Sequence, residues 1–164
     1  MQTSQLQLRQ CLFHKVLVEA FEVSLPPKHS LLQPFNFSGV AVRVAAEMGI
    51  AEGEQADPRH FSLRMTLKIE NKDGKPSPYN IELDATGLLE ISPNVAITER
   101  YDFVVINGSA LVYGAFREMV SAITSRSSSG PAVLPSVTFI DHKSSIKPKT
   151  AGKKPRARKR SSAK

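Results

Sequence analysis

In Phe61-Ser62-Leu63-Arg64-Met65-Thr66-Leu67-Lys68-Ile69-Glu70 every odd position is apolar and every even one polar. Strand side chains point alternately to the two faces of a sheet, so a period of two predicts a strand with one covered and one wetted face. Downstream, Asn71-Lys72-Asp73-Gly74-Lys75 supplies turn residues, with Gly74 free to take positive φ, and predicts a hairpin. The returning strand is Tyr79 to Ile91, where Tyr79, Ile81, Leu83, Ala85, Gly87, Leu89 and Ile91 oppose Asn80, Glu82, Asp84, Thr86 and Glu90. Upstream, Val40, Val42, Val44, Ala46 and Met48 alternate with Ala41, Arg43, Ala45 and Glu47 until Gly49, and an acidic, turn-prone loop follows through Pro58. Strands that are apolar on one side and polar on the other belong to antiparallel sheets with one solvated face.

Before these, Leu12 to Leu25 reads as a long first strand ended by Pro26-Pro27, which cannot donate to a ladder. Its apolar parity changes from Val16, Val18 and Ala20 to Phe21, Val23 and Leu25, which predicts a bulge or bend near Ala20 and Phe21. The second set has no obvious internal partner and is a candidate exposed apolar strip, a binding or oligomer surface.

The layer that covers the sheet must come from the C-terminal half. Ser92-Pro93 is a cap and first-turn signal, Val95 to Ile106 fits a helix, and Asn107-Gly108 marks a break. From Ser109 to about Ser125, Val112, Phe116, Met119, Val120 and Ile123 fall on one face of a second, amphipathic helix. Ser127-Ser128-Ser129-Gly130 is a connector, and Pro131 to Phe139 a short apolar extension. The expected fold is therefore α+β: a four-stranded antiparallel sheet with two C-terminal helices on one face. The expected organisation is a polar N-terminal segment 1–10, a folded domain 11–141 and a tail 142–164.

The chain has 164 residues, 41% hydrophobic and 23% charged, a composition of folded rather than disordered proteins. Its net charge of +7 is unevenly placed. Residues 142–164 hold 10 of the 22 Lys and Arg and no acid, which leaves 12 bases against all 15 acids in residues 1–141, a body of about −3. The tail is expected to be disordered, since only Ile146 offers a large apolar group to offset its ordering entropy. Its run Lys153, Lys154, Arg156, Arg158, Lys159 and Arg160 could contact phosphates through counterion release.

Catalytic motifs are lacking. There is no G-x-S-x-G elbow, no Walker loop and no G-x-G-x-x-G. His14, His29, His60 and His142 are scattered without ligand spacing, and Glu82 with Asp84 reads as solvated sheet surface. Cys11 and His14, three apart on a strand, fall on opposite faces. A single cysteine allows no internal disulfide and too few thiolates for a structural zinc site. With no apolar run of signal-peptide or membrane-span kind, the expectation is a cytoplasmic, non-enzymatic protein without cofactor or metal.

Three segments resemble the SecB-like chaperones. Val112-Tyr113-Gly114-Ala115-Phe116-Arg117-Glu118 is similar to the L-F-P-Y-A-R-E segment that opens that family's second helix, with Arg117-Glu118 in register. Leu134-Pro135-Ser136-Val137-Thr138-Phe139 is similar to its a-P-v-n-F segment, and Gly87-Leu88-Leu89 to its G-x-F. Gly114 replaces a proline, and aromatics are absent at Leu89 and Ala115. The resemblance spans about residues 10–141. It implies an ATP-independent chaperone for unfolded or nascent polypeptides, built as a homotetramer, a dimer of dimers with long apolar grooves. Candidate groove residues are Phe21, Val23, Leu25, Val42, Val44, Tyr113 and Phe116. The clients it implies are preproteins for export or an antitoxin in a toxin–antitoxin system. The basic tail argues against delivery to the SecA motor, whose SecB partners present acidic surfaces. It also opens the alternative of a nucleic-acid or ribosome-associated protein acting through that tail.

Overall fold

The computed structural model describes residues 3–20, 41–70, 79–127 and 130–142. Four strands, β1 (Leu6–Ala20), β2 (Ala41–Ile50), β3 (His60–Glu70) and β4 (Tyr79–Ile91), form one antiparallel sheet in the order β1-β4-β3-β2. β2, β3 and β4 are a meander. β1 lies at the far edge beside β4, so the first and last strands in sequence are neighbours. Strand β4 has the expected bounds, and β2 and β3 differ from expectation by a residue or two at their ends. The expected turn at 71–75 lies outside the described residues.

Strand β1 corrects the sequence reading at its start and in the place of its bulges. It begins at Leu6, inside the segment taken as a polar N-terminus, and its irregularities fall between Leu8 and Gln10 and between Phe13 and Lys15. Both are visible in the spacing of the apolar residues 6, 8, 11, 13, 16 and 18, where each step of three inserts an extra residue, Arg9 and then His14. The two bulges restore phase, so Leu6, Leu8, Cys11, Phe13, Val16 and Val18 all sit opposite inward-facing partners of β4, from Ile91 to Ile81. Ala20 is the last described residue of the strand, and the proposed bend at Phe21 lies beyond the described residues.

The covering layer is one helix, not two. It runs unbroken for 28 residues, Ile97–Thr124, and passes through a five-residue π-helical stretch at Val104–Gly108, where a break was expected. Its inward residues, Arg100, Val104, Gly108, Val112, Phe116, Val120 and Thr124, recur every fourth position and are all buried. At 3.6 residues per turn each step of four over-rotates by about 40°. The wider winding of the π stretch takes up part of that drift and keeps the row on the sheet. Gly108 and Gly87 permit the close approach: a Cβ on Gly108 would stand 2.7 Å from Leu89 Cδ1, and one on Gly87 2.5 Å from Val112 Cγ2.

Beyond the helix, residues 130–139 return along it without strand pairing. The Thr124 hydroxyl donates to the Val120 carbonyl and accepts the Ala132 N–H at 2.8 Å, and the Tyr79 hydroxyl donates to the Gly130 carbonyl. Ala132, Leu134 and Phe139 are buried, and a 3₁₀ turn at Ile140–His142 follows. The core lies between sheet, helix and return segment, centred on Leu63, Met65, Leu67, Leu83, Ile91 and Phe116.

Candidate polypeptide-binding surface

Of the predicted groove residues, Phe21, Val23 and Leu25 lie outside the described residues. Val42 pairs with Ile69 and Val44 with Leu67 across the β2–β3 ladder. Val44 is half-buried at the flank of the core, as are Ala46 and Ile50 along β2.

Tyr113 and Phe116, also expected in the groove, are core residues of the protomer. Phe116 is 0% exposed, its ring 5.9 Å from that of Phe13 on β1, and Tyr113 is 3% exposed. Phe116 lies on the four-residue row that faces β1 and β4, and Tyr113, beside that row, is enclosed by the return segment. Tyr113 donates its hydroxyl to the Pro135 carbonyl at 2.9 Å and meets Phe139 edge-on at 5.8 Å. Burial pushes its phenol above the ordinary value, with a smaller opposing effect from Arg117. Arg117 Nε donates to the Leu134 carbonyl at 3.1 Å. Two of the stretches that carry the family resemblance, 112–118 and 134–139, are thus held against each other, with Tyr113 and Arg117 clasping the helix to the return segment.

Apolar surface is instead presented elsewhere on the helix side. Val16 is 41% exposed on β1, next to half-buried Val18. The helix packs on β1, β4 and β3, and leaves inward-facing side chains of β2 and the exposed Val16 of β1 partly open. Along the return segment Val133, Val137 and Ile140 point outward, Val133 by alternation with buried Ala132 and Leu134. The helix itself exposes Ile97, Leu111 and Ile123 together with the small residues Ala110, Gly114 and Ala122. The length and mean hydropathy of this helix would let it cross a membrane, yet 44% of its most apolar window is buried against the protein. The sequence reading missed the outward valines because an extension of eight or nine residues shows its alternation only once its buried members are known.

The opposite face of the sheet is ionic and compensated. Arg64 grips Asp84 with two hydrogen bonds, 2.9 Å from Nε and 2.6 Å from an Nη. Glu82 lies between Lys15 at 2.5 Å and Lys68 at 3.2 Å, Arg9 meets Glu90 at 2.8 Å, and Arg43 approaches Glu70 at 3.7 Å. Hydrogen bonds from these cations hold the carboxyls of Glu82, Asp84 and Glu90 below their ordinary values. Leu12, Leu17 and Leu88 are exposed among them. Two open depressions mark the sheet, one of about 360 Å³ beside Leu88, Ile50 and His60 and one of about 350 Å³ beside Leu17, Lys68 and Glu82.

Among the described residues no nucleophile–base pair forms around the cysteine. Cys11 faces the helix side, and burial raises its thiol pKa, whereas His14 Nε2 lies 2.8 Å from the Thr86 hydroxyl on the ionic face. Among the described residues no group of three His, Cys, Asp or Glu stands together as a metal site. At the foot of the helix, Arg100 is 3% exposed and tied to the β2–β3 loop. Its guanidinium donates to Asp57 at 2.5 Å and to the carbonyls of Val95, Pro58 and Pro93. Sequence reasoning did not single it out, because its role depends on a loop some forty residues away. The six basic tail residues from Lys153 to Arg160 lie outside the described residues.

The chain's architecture resembles that of solved proteins. The SecB-like chaperone Rv1957 of Mycobacterium tuberculosis, solved with a ChAD peptide from the Rv1956 HigA1 antitoxin, aligns with a TM-score of 0.51 at 15% identity, over 81% of this chain and 91% of its own. A Streptococcus agalactiae protein of unknown function aligns with a TM-score of 0.48 at 11% identity, over 83% of this chain and 100% of its own. No family model and no curated protein sequence matches the chain. The likeness to the chaperone, at 15% identity, shows the fold alone, a SecB-like one.

Proposed function

We propose that this chain is an ATP-independent holder of unfolded polypeptides, a chaperone that keeps aggregation-prone clients soluble without nucleotide, metal or catalytic group. The observation that carries the reading is a SecB-like fold whose helix side is incompletely covered. Val16, Val18 and Val44 flank the helix at the two edges, and Val133 and Val137 rise from the return segment. Such a surface binds extended chains through apolar area and through backbone pairing along an open strand edge, spread over many weak contacts that can release. In the neighbour Rv1957 the partner is an antitoxin peptide. The charge-compensated sheet face favours a client of that kind over delivery to SecA, because the family's acidic docking surface is replaced by ion pairs.

The reading includes a homo-oligomer, a dimer of dimers in the cytoplasm, in which the exposed helix side bearing Leu111, Gly114 and Ile123 is covered by other copies. Its test is light scattering of a chemically unfolded model client diluted into buffer with and without the protein. Suppression at stoichiometric amounts without ATP is expected. A Val133→Ser/Val137→Ser variant should hold less client, and failure of the wild-type chain to suppress aggregation would overturn the reading.

A further inference from the structure

We infer that β2 is an interface for a second copy of this chain: two β2 strands pair antiparallel about a two-fold axis at Ala45 and join two sheets into one. The first observation is the unequal protection of the two sheet edges. β1 is interrupted by two bulges, whereas β2 pairs with β3 from Ala41 to Ile50 without one. β2 also has no proline, and its two charges, Arg43 and Glu47, both stand on the outward parity, so it lacks the usual devices that keep an edge from pairing. Among the described residues no strand or helix lies along its outer side, since the helix packs on β1, β4 and β3. Its inward Val44 and Ala46 are left half-buried at the flank of the core.

Charge selects the occupant. A two-fold contact is self-complementary, with residue i meeting j and j meeting i. In the register centred on Ala45, Arg43 of each copy stands opposite Glu47 of the other on the outward face, and Val44 stands opposite Ala46 on the inward face. Within one sheet Arg43 faces Lys68, with Glu70 3.7 Å away on the diagonal, and Glu47 faces Arg64. The joined row therefore reads Lys68 and Arg43, then Glu47 and Arg64 of the second copy, and each added carboxylate meets a pair of neighbouring cations. Other registers lose this match. A slip of one residue sets inward against outward side chains. A slip of two puts Arg43 opposite Ala45 or Gly49, and a slip of four sets Arg43 against Arg43 or Glu47 against Glu47. At the axis Ala45 meets itself, with no bulk to hold the strands apart. An unfolded client carries this charge order only by chance, whereas a second copy always does.

The contact goes beyond the helix-side covering of the proposed function, and it leaves the bulged β1 as the edge open to clients. The test begins with covalent trapping in the full chain carrying Cys11→Ala. Ala45→Cys should give a disulfide-linked dimer on mild oxidation, because directly opposite residues bring their Cβ atoms to about 5 Å. Thr66→Cys, three strand spacings or about 14 Å from its counterpart, should not. The second measurement is sedimentation of the Leu111→Glu/Ile123→Glu chain, which lacks the helix-side contact and should remain a dimer. There Arg43→Glu or Glu47→Arg alone turns two attractive pairs into two repulsive ones and should weaken the dimer about tenfold or more. Both together should restore it, at an unchanged circular-dichroism spectrum. Absence of trapping at Ala45→Cys, equal trapping at Thr66→Cys, single reversals without effect, or a double swap that fails to restore the dimer would each overturn the inference. Client holding is read separately by light scattering, so its loss would sink the chaperone reading alone.

Discussion

Truncating Phe116 would open a void where helix, β1 and β4 meet, since its ring is wholly enclosed and packed on Phe13. Phe116→Ala is expected to cost about 3–5 kcal/mol, read as a lowered urea midpoint at unchanged m-value. A groove residue would behave differently, with client holding lost and stability kept, so the two roles separate in one experiment. The inward position of Phe116 was legible in the spacing of Val112, Phe116 and Val120. Its enclosure was not, because burial depends on where the helix lands and on a return segment that closes over Tyr113. Arg100 teaches the same lesson in reverse: a charged side chain in a helix reads as solvated until the loop carrying Asp57 and Pro58 is seen to meet it.

Elements with a clean period were readable, and those shaped by local insertions were not. Strand β4 was placed residue for residue, whereas the two bulges of β1 and the π stretch of the helix each add a residue that simple alternation or a 3.6 period cannot represent. Asn107-Gly108 looked like a breaker, yet Gly108 serves the close contact with Leu89, and Asn107 Nδ2 donates to the Phe103 carbonyl within the turn. The β2–β3 connection has its own titratable lock. The Glu54 carboxylate accepts the backbone N–H groups of Arg59 and His60, both at 2.9 Å, and contacts His60 Nδ1 at 2.6 Å. Its pKa is lowered to about 2, first by the Arg59 backbone bond and then by His60. A carboxyl depressed in the folded state stabilises fully above its unfolded pKa of about 4.3 and loses that effect as pH falls toward the folded value. The turn is therefore expected to loosen between about pH 4.3 and pH 2, seen as faster hydrogen exchange at the Arg59 and His60 amides, and Glu54→Gln should remove the pH dependence.

For the whole molecule, the exposed helix side is the surface on which the proposed assembly rests. Leu111→Glu with Ile123→Glu should break the proposed oligomer into smaller species, measured as molar mass by light scattering, while secondary structure stays intact. A wild-type chain that is monomeric at all concentrations would refute the arrangement. The doubly bulged β1 has a consequence for a protein that would hold unfolded chains, as proposed. A 15-residue edge strand kept flat beside unfolded chains would be a template for runaway cross-β stacking. Each bulge tightens the local twist and leaves one residue out of the ladder, and here those residues are Arg9 and His14, with Lys15 next to the second. The edge is thereby divided into short registers with polar punctuation, which makes it a poor template for a growing fibre and, in the proposed function, gives a client purchase on a few residues at a time.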